Sequence, residues 1–565
     1  MAGRPQRRVG RRSSLSPHHG RPSAPSLIFE KSRENYNQAV TRFVRLRCFL
    51  VLFACVMPIA SRAQSTDTGG RVVLVLPFDN RSGQPSLDWI GESFAETLNQ
   101  RLTSAGFLTI SRDDRQYALD HLGLPPGFRP SRATTIRIAQ TLDAEYVVVG
   151  SYSMRDNQVS AQAQLLRINQ LSLSKPMDDS SDLPRLLDLE NSIAWKIAKQ
   201  MDPNFNVALG TFVATSHDIK LDAYENYIRG ISTLNDDERL KRLQAAVLIS
   251  PTYPAALLAL GKAQYAVRDY DGAAATFARI PANSPLALEA GFYRGLARFN
   301  TAHYADAESS FGFVASRLPL PEVVNNQGVA QARQKKDATP LLQRASAADP
   351  QDADYHFNIA VALRRRGDFV NARLEIDKAL QIHTNDGEAT ELRTALSVAA
   401  PQKTSNGFDP QERVRRTYSE ASFRQAAFQL DQLRLMKMAA LPPSERAAQT
   451  TQLGRDYLAQ GLVLESEREF QSAANADPKN AAAHAGLAEV RERSGNTAEA
   501  RTEAQTSITL KPNVQAYLVL ARLDLQTGAN AASAANVSHA LQLEPTNSAA
   551  LGLRQALATR GTQLP

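Results

Sequence analysis

Apolar positions change their spacing along this chain, and each change predicts a different kind of structure. Val72–Phe78 (VVLVLPF) is a continuous apolar run, the pattern of a strand buried on both faces. Ile90, Phe94, Leu98 and Leu102 then recur every four residues, so 89–104 is expected to be an amphipathic helix. Further strands are expected at Phe107–Ile110, Tyr146–Tyr152 and Gln158–Ile168, with a hairpin turn at Asp156-Asn157. Helices are expected at Thr134–Leu142 and Leu183–Met201. This alternation predicts a small α/β domain over residues 70–205, following a glycine hinge at Gly69-Gly70.

From about residue 220 the spacing is helical throughout, with a longer repeat superimposed on it. Gly261, Ala273, Phe277 and Pro285 return 34 residues later as Gly295, Ala307, Phe311 and Pro319. The series continues through Gly328, Ala338 and Ala345 to Pro350, then through Ala360, Gly367, Ala372 and Ala379 to Thr384. A degenerate hairpin at Ala223–Pro251 precedes it. These residues predict a first array over 220–398, and the Pro-, Ser-, Gly- and Asn-containing stretch 399–410 reads as a linker. A long helical segment, Gln411–Ala440, is expected to open a second array over 411–565. Gly454, Tyr457, Phe470 and Pro478 mark its first hairpin, and Gly495 and Pro512 its second. The third ends at Pro545, and Ser548–Thr559 is expected to be a capping helix.

The 34-residue pattern resembles the tetratricopeptide repeat (TPR) family. That resemblance implies helical hairpins in which a small residue lets the two helices approach, an aromatic fills the gap between hairpins, and proline ends the second helix. It also implies a concave groove, lined by first helices, that accepts a peptide or a helix. Carried onto this chain, the groove-facing candidates are Lys262, Tyr265, Phe299, Arg364, Arg365 and Arg455. Aromatic and Arg side chains are good interface anchors, although the same residues also suit core packing or solvated helix ends. The two-Lys, two-Asn carboxylate clamp of some family members is not evident.

The α/β region carries a second resemblance. Leu76-Pro77-Phe78-Asp79-Asn80, Ile110-Ser111-Arg112, the run Ala144–Ser151 and Ala163-Gln164-Leu165-Leu166 resemble the TolB amino-terminal domain family. The resemblance implies an export-compartment module for protein contacts, with no catalytic residues to carry over. The β-propeller that follows in TolB itself has no counterpart here. The expected fold class is therefore multidomain: a small α/β domain followed by an all-α TPR-like superhelical solenoid.

Charge changes the picture only at the amino terminus. Residues 1–63 hold twelve of the 65 basic residues and two of the 57 acidic ones, so the net +8 belongs to that segment and the remainder is slightly acidic. Nucleic-acid binding, which needs a concentrated cationic face, loses its support. Residues 1–40 read as a basic disordered tail, and 42–63 as a signal peptide or membrane anchor. There Arg42, Arg45 and Arg47 precede the apolar run Cys48–Ala60, with Ser61-Arg62-Ala63 suiting cleavage before Gln64. An inner-membrane anchor through residues 48–60, or lipidation at Cys55, is the alternative. Cys48 and Cys55 are the only cysteines, so a chain starting at Gln64 has no thiol for disulfides, catalysis or zinc.

The sequence carries no nucleophile-elbow, phosphate-loop, zinc-protease or dinucleotide motif, and its nine histidines are scattered. No catalytic, cofactor-binding or metal residues are expected, and no cofactor. The composite reading is a non-enzymatic exported scaffold or adaptor of the bacterial cell envelope, in the periplasm or envelope-associated, whose partners are proteins or peptides. The alternative is an accessory subunit of an envelope enzyme or sensory complex whose α/β domain binds a small molecule.

Overall fold

The computed structural model describes residues 72–125, 130–214, 219–397, 408–416, 429 and 433–565. The basic tail, the signal-like segment with both cysteines, and residues 399–407 of the expected linker lie outside the described residues.

The α/β region is built on one sheet of seven short and long strands: β1 (Val72–Val75), β2 (Asp79–Asn80), β3 (Leu108–Thr109), β4 (Tyr146–Arg155), β5 (Gln158–Arg167), β6 (Ser172–Leu173) and β7 (Met177–Asp182). β1 runs parallel to both β3 and β4, β2 pairs parallel with β4, and β5 pairs antiparallel with β4, β6 and β7. The β4–β5 hairpin turns at Asp156 and Asn157, both with positive φ, as the twist of a tight hairpin requires. Helices α1 (Trp89–Ser104) and α4 (Leu186–Met201) cover one face of the sheet, where Val73 and Val75 point. Helices α2 (Arg112–His121) and α3 (Arg132–Thr141) cover the other face and receive Leu74 and Leu76. Burial on both faces explains the unbroken apolar run of β1. β7 (MDDSSD) is an edge strand without apolar alternation and was not expected from the sequence. Neither was α2, whose ten residues bury only Arg115 and Ala118.

The carboxy-terminal region is a solenoid of helical hairpins. Helix α5 (Leu209–Ala214) leads into α6 (Leu221–Ser232) and α7 (Asp236–Ile249), then α8 (Pro254–Ala266) and α9 (Tyr270–Phe277), and then α10 (Ala287–Asn300) and α11 (Tyr304–Ala315). The pairs α12 (Pro321–Arg333) with α13 (Thr339–Ala348) and α14 (Ala353–Arg365) with α15 (Phe369–Ile382) follow, and α16 (Gly387–Ser397) closes the first array. The second array comprises α17 (Pro443–Ala459) with α18 (Val463–Ala476), α19 (Ala481–Arg493) with α20 (Thr497–Leu510), α21 (Val514–Gln526) with α22 (Asn530–Leu543), and the lone α23 (Ser548–Thr559).

Packing explains the repeat-defining residues. A Cβ on Gly261 would lie 2.5 Å from the Phe277 ring, one on Gly295 2.6 Å from Phe311, and one on Gly454 2.8 Å from Phe470. Each aromatic lies flat against bare backbone, and Ala273 and Ala307 are fully buried beside them. Pro478, Pro512 and Pro545 each fall two residues past the end of a second helix, where a missing N–H suits the end of the ladder, whereas Pro319 lies four residues past α11 and Pro285, contrary to the expectation that proline ends the second helix, lies just before α10. Tyr457 is half-buried on α17.

Two differences from the sequence reading concern the boundaries. The core of α1 and α4 continues without a break into Tyr224, Tyr227, Leu243, Tyr253 and Phe277, so the α/β region and the first hairpins share one apolar interior. The second array, expected as a separate unit beyond a linker, also packs against the α/β region and the residues that follow it. Glu467 on α18 accepts hydrogen bonds from the Ala208 N–H (3.2 Å) and the Thr211 hydroxyl, and Arg468 reaches the Ser104 carbonyl (3.4 Å). Leu464 joins the shared core.

Candidate functional site

Residues 408–416 (FDPQERVRR) are extended and lie across the first helices of the first array, although 411–416 had the pattern of a helix start. Three asparagines hold their backbone. Asn358 on α14 donates to the Arg413 carbonyl (2.8 Å) and accepts from the Arg413 N–H (2.6 Å). Asn326 on α12 does the same for Arg415, with both bonds 2.8 Å long. Asn325 adds a bond to the Arg413 carbonyl (3.1 Å) and accepts from Asn358 (2.8 Å). All three are completely buried, yet their amides are satisfied by one another and by the segment. A primary amide that donates to and accepts from one residue copies the pairing of a neighbouring β-strand. Residues two apart in an extended chain present the same edge, which is why 413 and 415 are both read this way.

The side chains of the segment alternate between two walls of opposite charge. Glu412 faces the carboxy-terminal ends of the first helices. There Arg365 pairs with its carboxylate and with the Pro410 carbonyl (3.2 Å), and Arg333 donates to the Glu412 carbonyl (3.2 Å). Arg413 faces the amino-terminal ends. Its guanidinium lies 3.7 Å from the centroid of Phe357 and bonds Asp354 (2.9 Å), Asp386 (2.6 Å) and Glu388 (2.9 Å). Arg415 pairs with Asp352 and with Asp354 (3.2 Å), over the Tyr355 ring. Burial alone would lower the basicity of Arg413, but the hydrogen bonds it donates to Asp386, Glu388 and Asp354 outweigh it and hold the group more basic than usual. Burial would likewise raise the Asp386 carboxyl, and its bonds from Arg413 and the Ala389 N–H carry it below the ordinary range. The sorting of the walls follows helix polarity. Acids cap and open α14 and α16, and arginines close α12 and α14, each where the helix dipole favours it.

The candidates named from sequence fall in different places. Arg365 touches the segment directly, Arg364 lies 4.0 Å from Asp409, and Phe299 lines a cavity of about 380 Å³ beside Val414, together with Leu296, Asn300 and Arg333. Tyr265 packs among Tyr270 and Tyr293 and accepts from Asn300 (3.2 Å); burial raises its hydroxyl pKa, and the positive charge of Arg416 acts against that rise. Lys262 is paired with Glu289 (3.0 Å) beneath the Tyr293 ring. Arg455 is an exposed residue on α17, 3.5 Å from Gln452.

Sequence reasoning missed Asn325, Asn326 and Asn358 and the acids opposite them. A signal was present. Phe292 stands three residues before Gly295, and Asn325 three before Gly328, so a position that is aromatic in one hairpin is an amide in the next. Buried amides on first helices need partners from outside their own repeat. Of the expected second-array start, 411–416 instead belong to this groove, and helix reappears at 433–439 ahead of α17.

Among the described residues no three His, Cys, Asp or Glu side chains are grouped to hold a metal ion, and no helix is long and apolar enough to cross a membrane.

No curated protein matches the chain. Among solved structures it is similar to the LpoB carboxy-terminal domain from Salmonella enterica, at 26% identity over 21% of this chain and 87% of that one, with a TM-score of 0.18. It is also similar to MamA from Desulfovibrio magneticus RS-1, at 17% identity over 32% of this chain and 99% of that one, TM-score 0.27. A third, YrrB, described as a TPR protein with an unusual peptide-binding site, is 15% identical over 36% of this chain and 99% of its own, TM-score 0.27. The tetratricopeptide repeat family model matches residues 327–387 and 451–514, which run from within α12 through α15 beside the occupied groove and from within α17 through α20 in the second array. The hairpins within 327–387 and 451–514 match the tetratricopeptide repeat, and the TPR-like helical solenoid follows a small α/β region on a seven-stranded sheet.

Proposed function

We propose that this protein is a non-enzymatic adaptor of the bacterial cell envelope that binds partner proteins through extended peptide segments seated in its first TPR array. The observation that carries the reading is the groove around Asn326 and Asn358. It holds an extended chain by its backbone and sorts that chain's side chains by charge, which is how a peptide site works rather than a catalytic one. Export is supported by the sequence of residues 42–63 alone. In this reading the α/β module, with its TolB-like segments, docks the solenoid to an envelope assembly.

Fractionation with amino-terminal sequencing tests the location. A mature start at Gln64 in the periplasmic fraction is expected, whereas recovery of an intact chain from the cytoplasm overturns it. A photo-crosslinker placed on the groove wall at Glu388 tests the adaptor role. It should capture a reproducible envelope partner, and reproducible absence of any protein adduct refutes the role.

A further inference from the structure

The groove is already full, and what fills it describes its ligand. We propose that the external ligand is an extended segment of a partner protein with an acidic–Arg–x–Arg register, and that residues 408–416 are a resident copy of that ligand which competes with it in cis. The proposal rests on the adaptor reading and specifies the partner chemistry and control of the same site.

Four observations converge on this ligand class. The asparagine pairs read backbone at two alternate residues, so they demand an extended chain but no particular side chain there. The residue on the basic wall must be acidic, because Arg365 and Arg333 converge on the seat of Glu412. The next residue must be Arg, since only a planar guanidinium stacks on Phe357 while bonding Asp354, Asp386 and Glu388 together. The fourth position meets Asp352, Asp354 and Tyr355, which repeat the preference for Arg. Without an occupant the three asparagines would lose the backbone partners the segment supplies and keep only their bonds to one another, beside a cluster of like-charged carboxylates, so departure of the resident segment favours entry of an equivalent one.

The occupant is a partner's segment rather than that of a second copy. Ten residues, 398–407, join the end of α16 to Phe408, so the resident segment enjoys a high effective concentration. A second copy offers the same nine residues without that tether and has no means of displacing it. A partner can gain from better contacts, and the cavity of about 380 Å³ beside Val414 leaves room for a larger apolar side chain at the x position.

The test uses the full chain and a fluorescein-labelled peptide of sequence FDPQERVRR, read by fluorescence polarisation. Substituting Arg413→Ala and Arg415→Ala together vacates the groove, and circular dichroism checks the fold. The milder Arg413→Gln serves if the double variant is unstable. The vacated chain is expected to bind the peptide at least tenfold more tightly than wild type, to ignore a peptide in which both arginines are alanine, and to lose binding when Asn358→Ala is added. Equal affinity of wild-type and vacated chains overturns the resident competitor. Equal binding of the alanine peptide overturns the ligand class, as does no binding at all by a folded vacated chain. None of these three results touches the adaptor reading, which the crosslinking at Glu388 judges separately. A wild-type dimer in sedimentation that the double variant dissociates would assign the seat to a second copy and overturn the proposal.

Discussion

Replacing Glu190 with Gln should make the chain more stable at alkaline pH and remove a pH dependence that wild type shows. Glu190 sits on α4 with no solvent exposure, at the point where the α/β region meets the first hairpin. Ser93, Thr97 (2.6 Å) and Tyr224 (3.0 Å) surround its carboxyl. Burial pushes the carboxyl up to about 7 from its ordinary 4.5, against the pull of those three hydroxyls. The hydroxyls also have other acceptors, since Ser93 reaches the Ile90 carbonyl (2.9 Å) and Tyr224 the Ser93 carbonyl (3.0 Å). A protonated Glu190 can therefore donate into this ring without orphaning an acceptor. Because the folded state holds the proton more tightly than the unfolded state, the stability contribution is full below pH 4.5 and is lost as pH rises through about 7. Between pH 5 and pH 8 the loss amounts to roughly 2.5 kcal/mol, taking about 1.4 kcal/mol per pH unit. The assay is urea unfolding followed by tryptophan fluorescence. The chain's two tryptophans, Trp89 and Trp195, both lie in the α/β region, and Trp89 meets Tyr224 edge-on at 6.4 Å. Wild type should lose midpoint across that range relative to Glu190→Gln, with the two close together at pH 5. Parallel pH profiles for the two chains would refute the assignment of the proton to Glu190.

Two further perturbations probe the packing. Phe470 fills the space between Gly454 and Gly486, so Phe470→Ala should destabilise the second array by about 3–5 kcal/mol, seen as an earlier loss of helical circular dichroism; a cost under about 1 kcal/mol would mean the array closes the gap by itself. Thr211→Val removes the hydroxyl that bonds Glu467 and lies 3.2 Å from Ser494, leaving a buried carboxylate short of a donor at a cost of about 1–3 kcal/mol. Amide exchange in α5 and α18 should then quicken together, and unchanged exchange would show that this contact does not hold the second array in place.

What the sequence disclosed depended on whether a residue's partner was local. The glycine–aromatic pairs were readable because Gly261 and Phe277 lie within one hairpin, and the 34-residue period repeats the pairing at Gly295 and Phe311. β1 was readable because burial on both faces leaves an unbroken apolar run. β7 was not, since its stability comes from pairing with β5 and from Asp179 meeting Lys196 (2.7 Å) and Ser192 on α4. The groove was hidden for the same reason. Arg413 finds Asp354 and Asp386 across 59 and 27 residues, and an arginine-rich stretch after a loop reads as a solvated helix start until those acids are placed around it. Of the residues named in advance, Arg365 carried a usable cue, an arginine closing a first helix, whereas the asparagines that hold the backbone were hidden behind their polar reputation.

The two-wall arrangement makes a prediction that separates recognition from simple charge attraction. A peptide with Arg in place of the Glu412 residue (FDPQRRVRR) is more positive than the resident segment, and the vacated groove contains Asp352, Asp354, Asp386 and Glu388. Long-range attraction alone would therefore strengthen its binding. The structure argues the opposite. Side chains in an extended chain alternate sides, and the asparagine pairs fix which residues face the floor, so the new arginine must point at Arg333 and Arg365. Shifting the register by one residue relieves that clash only by turning the Arg413 and Arg415 equivalents onto the basic wall. The Arg peptide should bind the vacated chain at least tenfold more weakly than FDPQERVRR, a difference of about 1.4 kcal/mol or more. The deficit should persist at high salt, where long-range attraction is screened but close contacts are not. Binding that rises with the added charge and collapses with salt would mean that the groove attracts cations without reading their order.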